Sequence, residues 1–207
     1  MTLETLNFWK PRRFAYSIFI LSFLMLGCKS QKTTFELQSV FNQEELKDLE
    51  TMRTFFIEDI LDLNDENFYK EFRQRIVKLE AEGFKSVVPK KIDRLLNSIS
   101  KSTFNEIWEI KTQKRSRTGN ETYTYFAPRL NSKYQEFLSQ TTKHNSMVMK
   151  YYNNMIQTEA FSHGSMLDYI SDNNLDFDLK NTNVQIVMAI HYISICYDNN
   201  NINQFIN

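Results

Sequence analysis

The chain predicts an all-α fold, an irregular bundle of roughly six to eight helices, with either a small β-hairpin or a long loop over residues 111–126. Three observations lead there. Glycine and proline number only 4 and 3, while phenylalanine and tyrosine number 17 and 10, a balance that suits packed helices better than a turn-rich β protein. Apolar residues recur at helical spacing behind cap residues from Asn42 onward. Near the far end, "VQIVMAIHYISICY" (residues 184–197) is apolar nearly all round, the mark of a helix buried on every side. A length of 207 residues supports one domain with a sizeable core. Basic and acidic side chains are equal, 25 of each, so no long-range field argues for nucleic acid or an acidic substrate, and no nucleic-acid partner is expected.

Residues 1–27 read as a separate unit. Lys10, Arg12 and Arg13 form a basic start, and "FAYSIFILSFLML" (residues 14–26) follows without a charge. As a helix that run spans roughly 20 Å, short of the ~30 Å hydrocarbon core, so it suits a secretory leader better than a permanent transmembrane helix. It ends in "LMLGC", Leu24 to Cys28, which resembles the lipobox of bacterial lipoproteins, with Leu26 and Gly27 ahead of the obligatory cysteine. The resemblance covers only the leader. It implies cleavage between Gly27 and Cys28, ordinary Sec export, and lipid attachment at Cys28, the one site residue assigned from the sequence. Arg12-Arg13 sits in "KPRRFAY", a poor match to a twin-arginine signal.

That resemblance has further implications. Lipoproteins of this kind carry two or three acyl chains, enough for stable anchoring where one chain is marginal. With Cys28 acylated, Cys196 has no partner for an intramolecular disulfide, and it reads as a small buried apolar residue. Residues 28–41 form a lipidated tether, beginning "CKSQKTT" with no acid before Glu36. By similarity to lipoprotein sorting patterns, the absence of Asp beside the cysteine implies the outer membrane, and the lack of an early acidic cluster implies that the protein faces the periplasm. The cell envelope is thus the expected location, with the membrane as one partner through Cys28.

The helical domain is expected over residues 42–198. Asn42 and Glu45 form a capping box ahead of Leu46, Leu49, Met52, Phe55, Phe56 and Ile60, giving a helix over about 43–62. Phe68, Tyr69, Phe72, Ile76 and Leu79 mark a second, stopped by Gly83. Pro89 opens a third, and Thr103 with Glu106 forms another capping box, for "FNEIWEI". "KTQKRSRTGNETYTYF" (residues 111–126) is the hairpin or loop. Helices resume over 134–141, over 146–157 and after Ser165, where Asp168 lies three residues on, and the buried one runs over 182–197. Residues 199–207 read as a polar, fraying tail.

No catalytic, cofactor-binding or metal-binding constellation is assigned. Asp172, Asn174 and Asp176 mimic the start of a calcium loop, but Phe177 and Asn183 stand where Gly and a bidentate Glu are required. His144, His163 and His191 lack metal-ligand spacing, and His191 reads as a hydrogen-bonded core residue. Ser162 beside His163 is no nucleophile–base pair, since chain neighbours rarely point at each other. Lys111, Lys114, Arg115, Arg117, Arg129 and Lys133 form the one basic concentration, beside Tyr123, Tyr125 and Phe126. It suits an acidic protein or lipid head groups. Asn120 begins a formal glycosylation triplet that a bacterial leader makes moot. Tyr151 and Tyr152 are candidates for an exposed contact face.

The expectation from these readings is a lipid-anchored, non-enzymatic protein-binding module of the bacterial envelope. One concrete version is an immunity-type lipoprotein that neutralises a periplasm-directed toxin. The competing class is an envelope enzyme whose site is assembled from His163 and the acids of residues 168–178.

Overall fold

The computed structural model describes residues 33–84, 86–114, 122–162, 164–172 and 177–203, with side chains described as far as residue 199. Helix α1, Phe35–Val40, is capped by Thr34, whose hydroxyl accepts the Leu37 N–H, and buries Leu37. The reading of residues 28–41 as tether alone is corrected here: Leu37 and Phe41 are core residues, too few to show a period in sequence. Helix α2, Gln43–Phe55, starts on the expected capping box, with the Glu45 N–H donated to Asn42 Oδ1 at 3.0 Å and the Asn42 N–H to Glu45 Oε2 at 2.9 Å. It runs into a π-turn, Phe56–Ile60, closed by Leu61 N–H donating to the Phe56 carbonyl at 3.0 Å. The wider turn lets Phe56, Ile57, Ile60 and Leu61 all face inward.

Helix α3, Asp65–Ala81, buries Phe68, Phe72, Ile76 and Leu79. Gly83 ends it as expected: at φ 61° it lets its own N–H reach the Glu80 carbonyl at 3.0 Å and the Phe84 N–H reach that of Leu79 at 2.9 Å, a Schellman closure. Helix α4, Pro89–Ser98, begins on proline. Helix α5, Lys101–Ile107, is capped by Ser100, whose hydroxyl accepts the Thr103 N–H at 3.1 Å. The Thr103 cap and the extension through "WEI" are therefore corrected, because Trp108 already belongs to a strand.

The 111–126 alternative resolves as a hairpin. Strand β1, Trp108–Lys114, pairs antiparallel with β2, Thr122–Pro128, from Trp108 opposite Pro128 to Lys114 opposite Thr122. Helices α6, Lys133–Thr141, α7, Ser146–Thr158, and α8, Ser165–Ser171, follow. Ser132 and Asn145 cap α6 and α7 by accepting the N–H groups of Gln135 and Val148. Helix α9, Thr182–Asn203, completes the fold. It continues past Tyr197, so residues 199–203 of the expected tail are helical.

Every residue of α9 from Thr182 to Cys196 is buried. Four turns of continuous burial place it at the centre, against α2, the π-turn, α4 and β2. Phe56 stacks on Tyr192 at 5.6 Å between ring centroids, and Phe84 meets the same ring at 5.8 Å. Among the described residues the architecture is nine α-helices, the π-turn and one two-stranded sheet. Eight of those helices were expected, and α1 is the addition. No described helix is long and apolar enough to cross a membrane.

Candidate functional site

Two places gather polar or exposed groups that bulk packing does not require. The first is a buried acidic seam where α2 meets α5 and α6. Glu45 and Asp48 sit on the same stripe of α2 as Met52 and Phe55, and both are buried. Asp48 Oδ2 accepts the Ser100 N–H at 2.9 Å and the Thr103 hydroxyl at 2.6 Å. Glu45 accepts from Ser102 Oγ at 3.1 Å and from Lys133 Nζ at 2.8 Å on each oxygen. Lys133 in turn donates its backbone N–H to Glu106 Oε2 at 2.8 Å.

Burial by itself would raise the Glu45 carboxyl, but the Lys133 ammonium, the Asn42 N–H and the Ser102 hydroxyl outweigh it and hold the group below its usual range. A carboxylate with that many donors is a poor proton acceptor. The seam locks three helices together and is not a general base. Beside it lies a shallow cleft of ≈ 650 Å³, lined by polar groups such as Glu106, Lys133, Glu136 and Ser139, with Tyr152 at one wall.

The second place is the hairpin. Its base is clamped: Trp108 is fully buried and donates Nε1–H to Ser194 Oγ at 2.8 Å, and the Phe126 N–H donates to Asp198 Oδ1 at 2.9 Å. The Phe126 ring stacks on Tyr197 with centroids 3.7 Å apart and planes within 4°. The outer half leaves the core. Ile110 is 54 % exposed, Thr112, Gln113 and Lys114 are exposed, and Tyr123 and Tyr125 are half-buried. Pairing puts Lys111 opposite Tyr125 and Gln113 opposite Tyr123, so these four share one face. The Tyr123 hydroxyl donates to Gln113 Oε1 at 3.1 Å, and the two tyrosine rings are 6.0 Å apart. A two-stranded sheet also leaves both outer edges unpaired by further strands.

The structure disperses most of the residues singled out in the sequence. Lys133 serves the buried seam, Lys111 pairs with Glu159 at 3.5 Å, and Lys150 pairs with Asp172 at 3.4 Å. Asp178 accepts the Lys180 N–H at 2.8 Å in a local turn. His191 is a core residue, its ring edge-on to Tyr151 and Tyr192 at 5.6 and 5.1 Å, whereas His144 lies exposed in the turn after α6. Tyr151 is buried and Tyr152 half-buried, which corrects the reading of that pair as an exposed face. Cys28, the leader, His163, Arg115, Arg117, Asn120, Asn174 and Asp176 lie outside the described residues. Among the described residues no group of three or more His, Cys, Asp or Glu side chains is placed to hold a metal ion.

Sequence reasoning missed the seam. A signal was present: Glu45, Asp48, Met52 and Phe55 repeat at helical spacing, so two acids occupy an apolar stripe, and buried acids need partners. In the comparisons with known proteins, no family model, curated protein or solved structure matches the chain.

Proposed function

We propose that this chain is a lipid-anchored protein of the bacterial cell envelope that works by binding another protein, with the outer half of the β1–β2 hairpin as its contact surface. The observation that carries the anchoring is the coincidence of a basic start, an uncharged run and Gly27-Cys28 at its end. The absence of Asp after Cys28 favours outer-membrane sorting, and the lack of an acid before Glu36 favours the periplasmic side. Two features support the contact surface. The hairpin is fixed at its base by buried hydrogen bonds and ring stacking, so the outer residues of its two strands are presented at little entropic cost. One face carries Tyr123, Tyr125 and Lys111, and the opposite face carries the exposed Ile110 and Lys114, so each face sets an apolar or aromatic side chain beside a cationic one. The partner that suits it is a protein with an acidic, partly apolar patch.

The anchoring is tested by replacing Cys28 with Ser and following membrane fractionation, fatty-acid labelling and the mass of the mature chain. Loss of the label and release from the membrane are expected; unchanged association and unchanged mass would refute it. The contact surface is tested in cells by a photo-cross-linking residue at position 125 against one at Gln74, exposed on α3. A discrete adduct at 125 only is expected. Equal adducts at both positions, or none, would remove the hairpin from the reading.

A further inference from the structure

We infer that the α1 end of the bundle is the membrane-facing end, seated on the lipid surface through Phe35, and that the hairpin points away from that membrane. The inference rests on the anchoring at Cys28 proposed above. Thr33, where the described fold begins, is five residues past Cys28, a stretch that reaches at most about 18 Å fully extended. The fold is then fixed at once: Thr34 Oγ1 donates to Asn183 Oδ1, Asn183 Nδ2 donates to Glu36 Oε2 at 3.1 Å, and Ser39 Oγ donates to Gln140 Oε1 at 2.9 Å. Helix α1 is thereby tied to the N-terminal end of α9 and to α6.

Phe35 is the most exposed large apolar side chain among the described residues, at 78 %. A single exposed phenylalanine is unremarkable on a free surface. Seven residues from a lipidated cysteine, it lies where a lipid interface can take the ring, and Lys29 and Lys32 between them add attraction to anionic head groups.

The hairpin belongs to the other end of the same helix. Phe126 stacks on Tyr197 and its N–H is held by Asp198, while the anchor side is held by Asn183. Those positions are about 22 Å apart along α9. With the Asn183 end on the membrane, Lys111, Tyr123 and Tyr125 face the aqueous compartment, which selects a protein partner over lipid head groups for that surface.

The test uses the full chain, processed and lipidated in a bacterial envelope, purified and reconstituted in phosphatidylethanolamine–phosphatidylglycerol vesicles whose acyl chains are brominated. Phe35→Trp and Ile110→Trp place probes at two exposed positions, and the signal of buried Trp108 is subtracted with the unsubstituted protein. Intact mass is measured first. Lipid-dependent quenching at position 35 at least about twofold greater than at position 110 is expected for a ring at the lipid interface. Equal quenching, greater quenching at 110, or none at either position in a chain of lipidated mass overturns the orientation and leaves the anchoring standing. A chain whose mass carries no lipid overturns the anchoring and the orientation together.

Discussion

Lys133 Nζ lies 2.8 Å from each carboxylate oxygen of Glu45, a side chain with no solvent exposure, while the lysine itself keeps 35 % of its surface in water. The two residues are 88 positions apart and join α2 to α6. Lys133→Ala leaves the Glu45 charge buried with its main counter-ion gone. Water reaching the vacated site softens the cost, so a loss of about 2 kcal/mol is expected. Urea denaturation of the variant, read as a lower midpoint at an unchanged slope, checks it. Glu45→Gln should cost less, because the amide oxygen still accepts from Asn42 or Ser102.

Acid sensitivity follows from the same residue and from Glu36. In both, burial acts to raise the carboxyl and is outweighed. Glu36 is lowered by its own backbone N–H, Asn183, Thr34 and the nearby His144; Glu45 is lowered by Lys133, Asn42 and Ser102. A carboxyl depressed in the fold stabilises it fully above the ordinary value of 4.5, and that stabilisation is lost as pH falls through the lowered folded value. Stability should be flat above about pH 5 and fall below it. Glu45→Gln should flatten the acid limb measurably in a series of urea midpoints.

The hairpin should detach when its stack is removed. Phe126 lies against Tyr197, Trp108 and Phe104, so Phe126→Ala should cost about 3–5 kcal/mol through the cavity it leaves. The emission of Trp108, fully buried in the native fold, should shift to the red in the same variant. An unshifted spectrum with native stability would contradict the clamp.

Cys196 should be chemically silent in the native state. Burial pushes its thiol up, and with 1 % of the residue exposed no thiolate is presented to a reagent. Titration with an aromatic disulfide reagent should find no rapidly reacting thiol in the native lipidated chain and should find Cys196 in urea. A fast native thiol at Cys196 would contradict the burial. One assigned to Cys28 by peptide mapping would contradict its acylation.

The eight helices from α2 to α9 and their order were legible because cap residues and apolar spacing are local signals, as at Asn42 with Glu45 and at Gly83, whereas the short α1 was not. Competition between overlapping local signals was not. Ser100 and Thr103 are both good caps, and Ser100 prevails because Asp48, 55 positions from Thr103, accepts the Thr103 hydroxyl at 2.6 Å. Trp108 leaves the helical pattern because it lies in register with Pro128, with the Arg129 N–H donating to the Ile107 carbonyl at 2.9 Å just before it and Ser194 accepting from its ring. The buried acidic seam shows the same limit: Glu45 was read for its bond three residues back, and its longer bond to Lys133 exists only in three dimensions.

The helix on which α2, the π-turn, α4 and β2 all rest is synthesised after every one of them. A chain emerging from its amino end exposes those apolar faces until α9 arrives, so the core cannot close on a partial product. Under the export proposed above this is an advantage in timing: premature folding is disfavoured without a dedicated holding segment. It also predicts where damage is least forgiven. A premature stop ahead of Thr182 removes the centre of the molecule, and what remains is a substrate for proteolysis rather than a shorter protein.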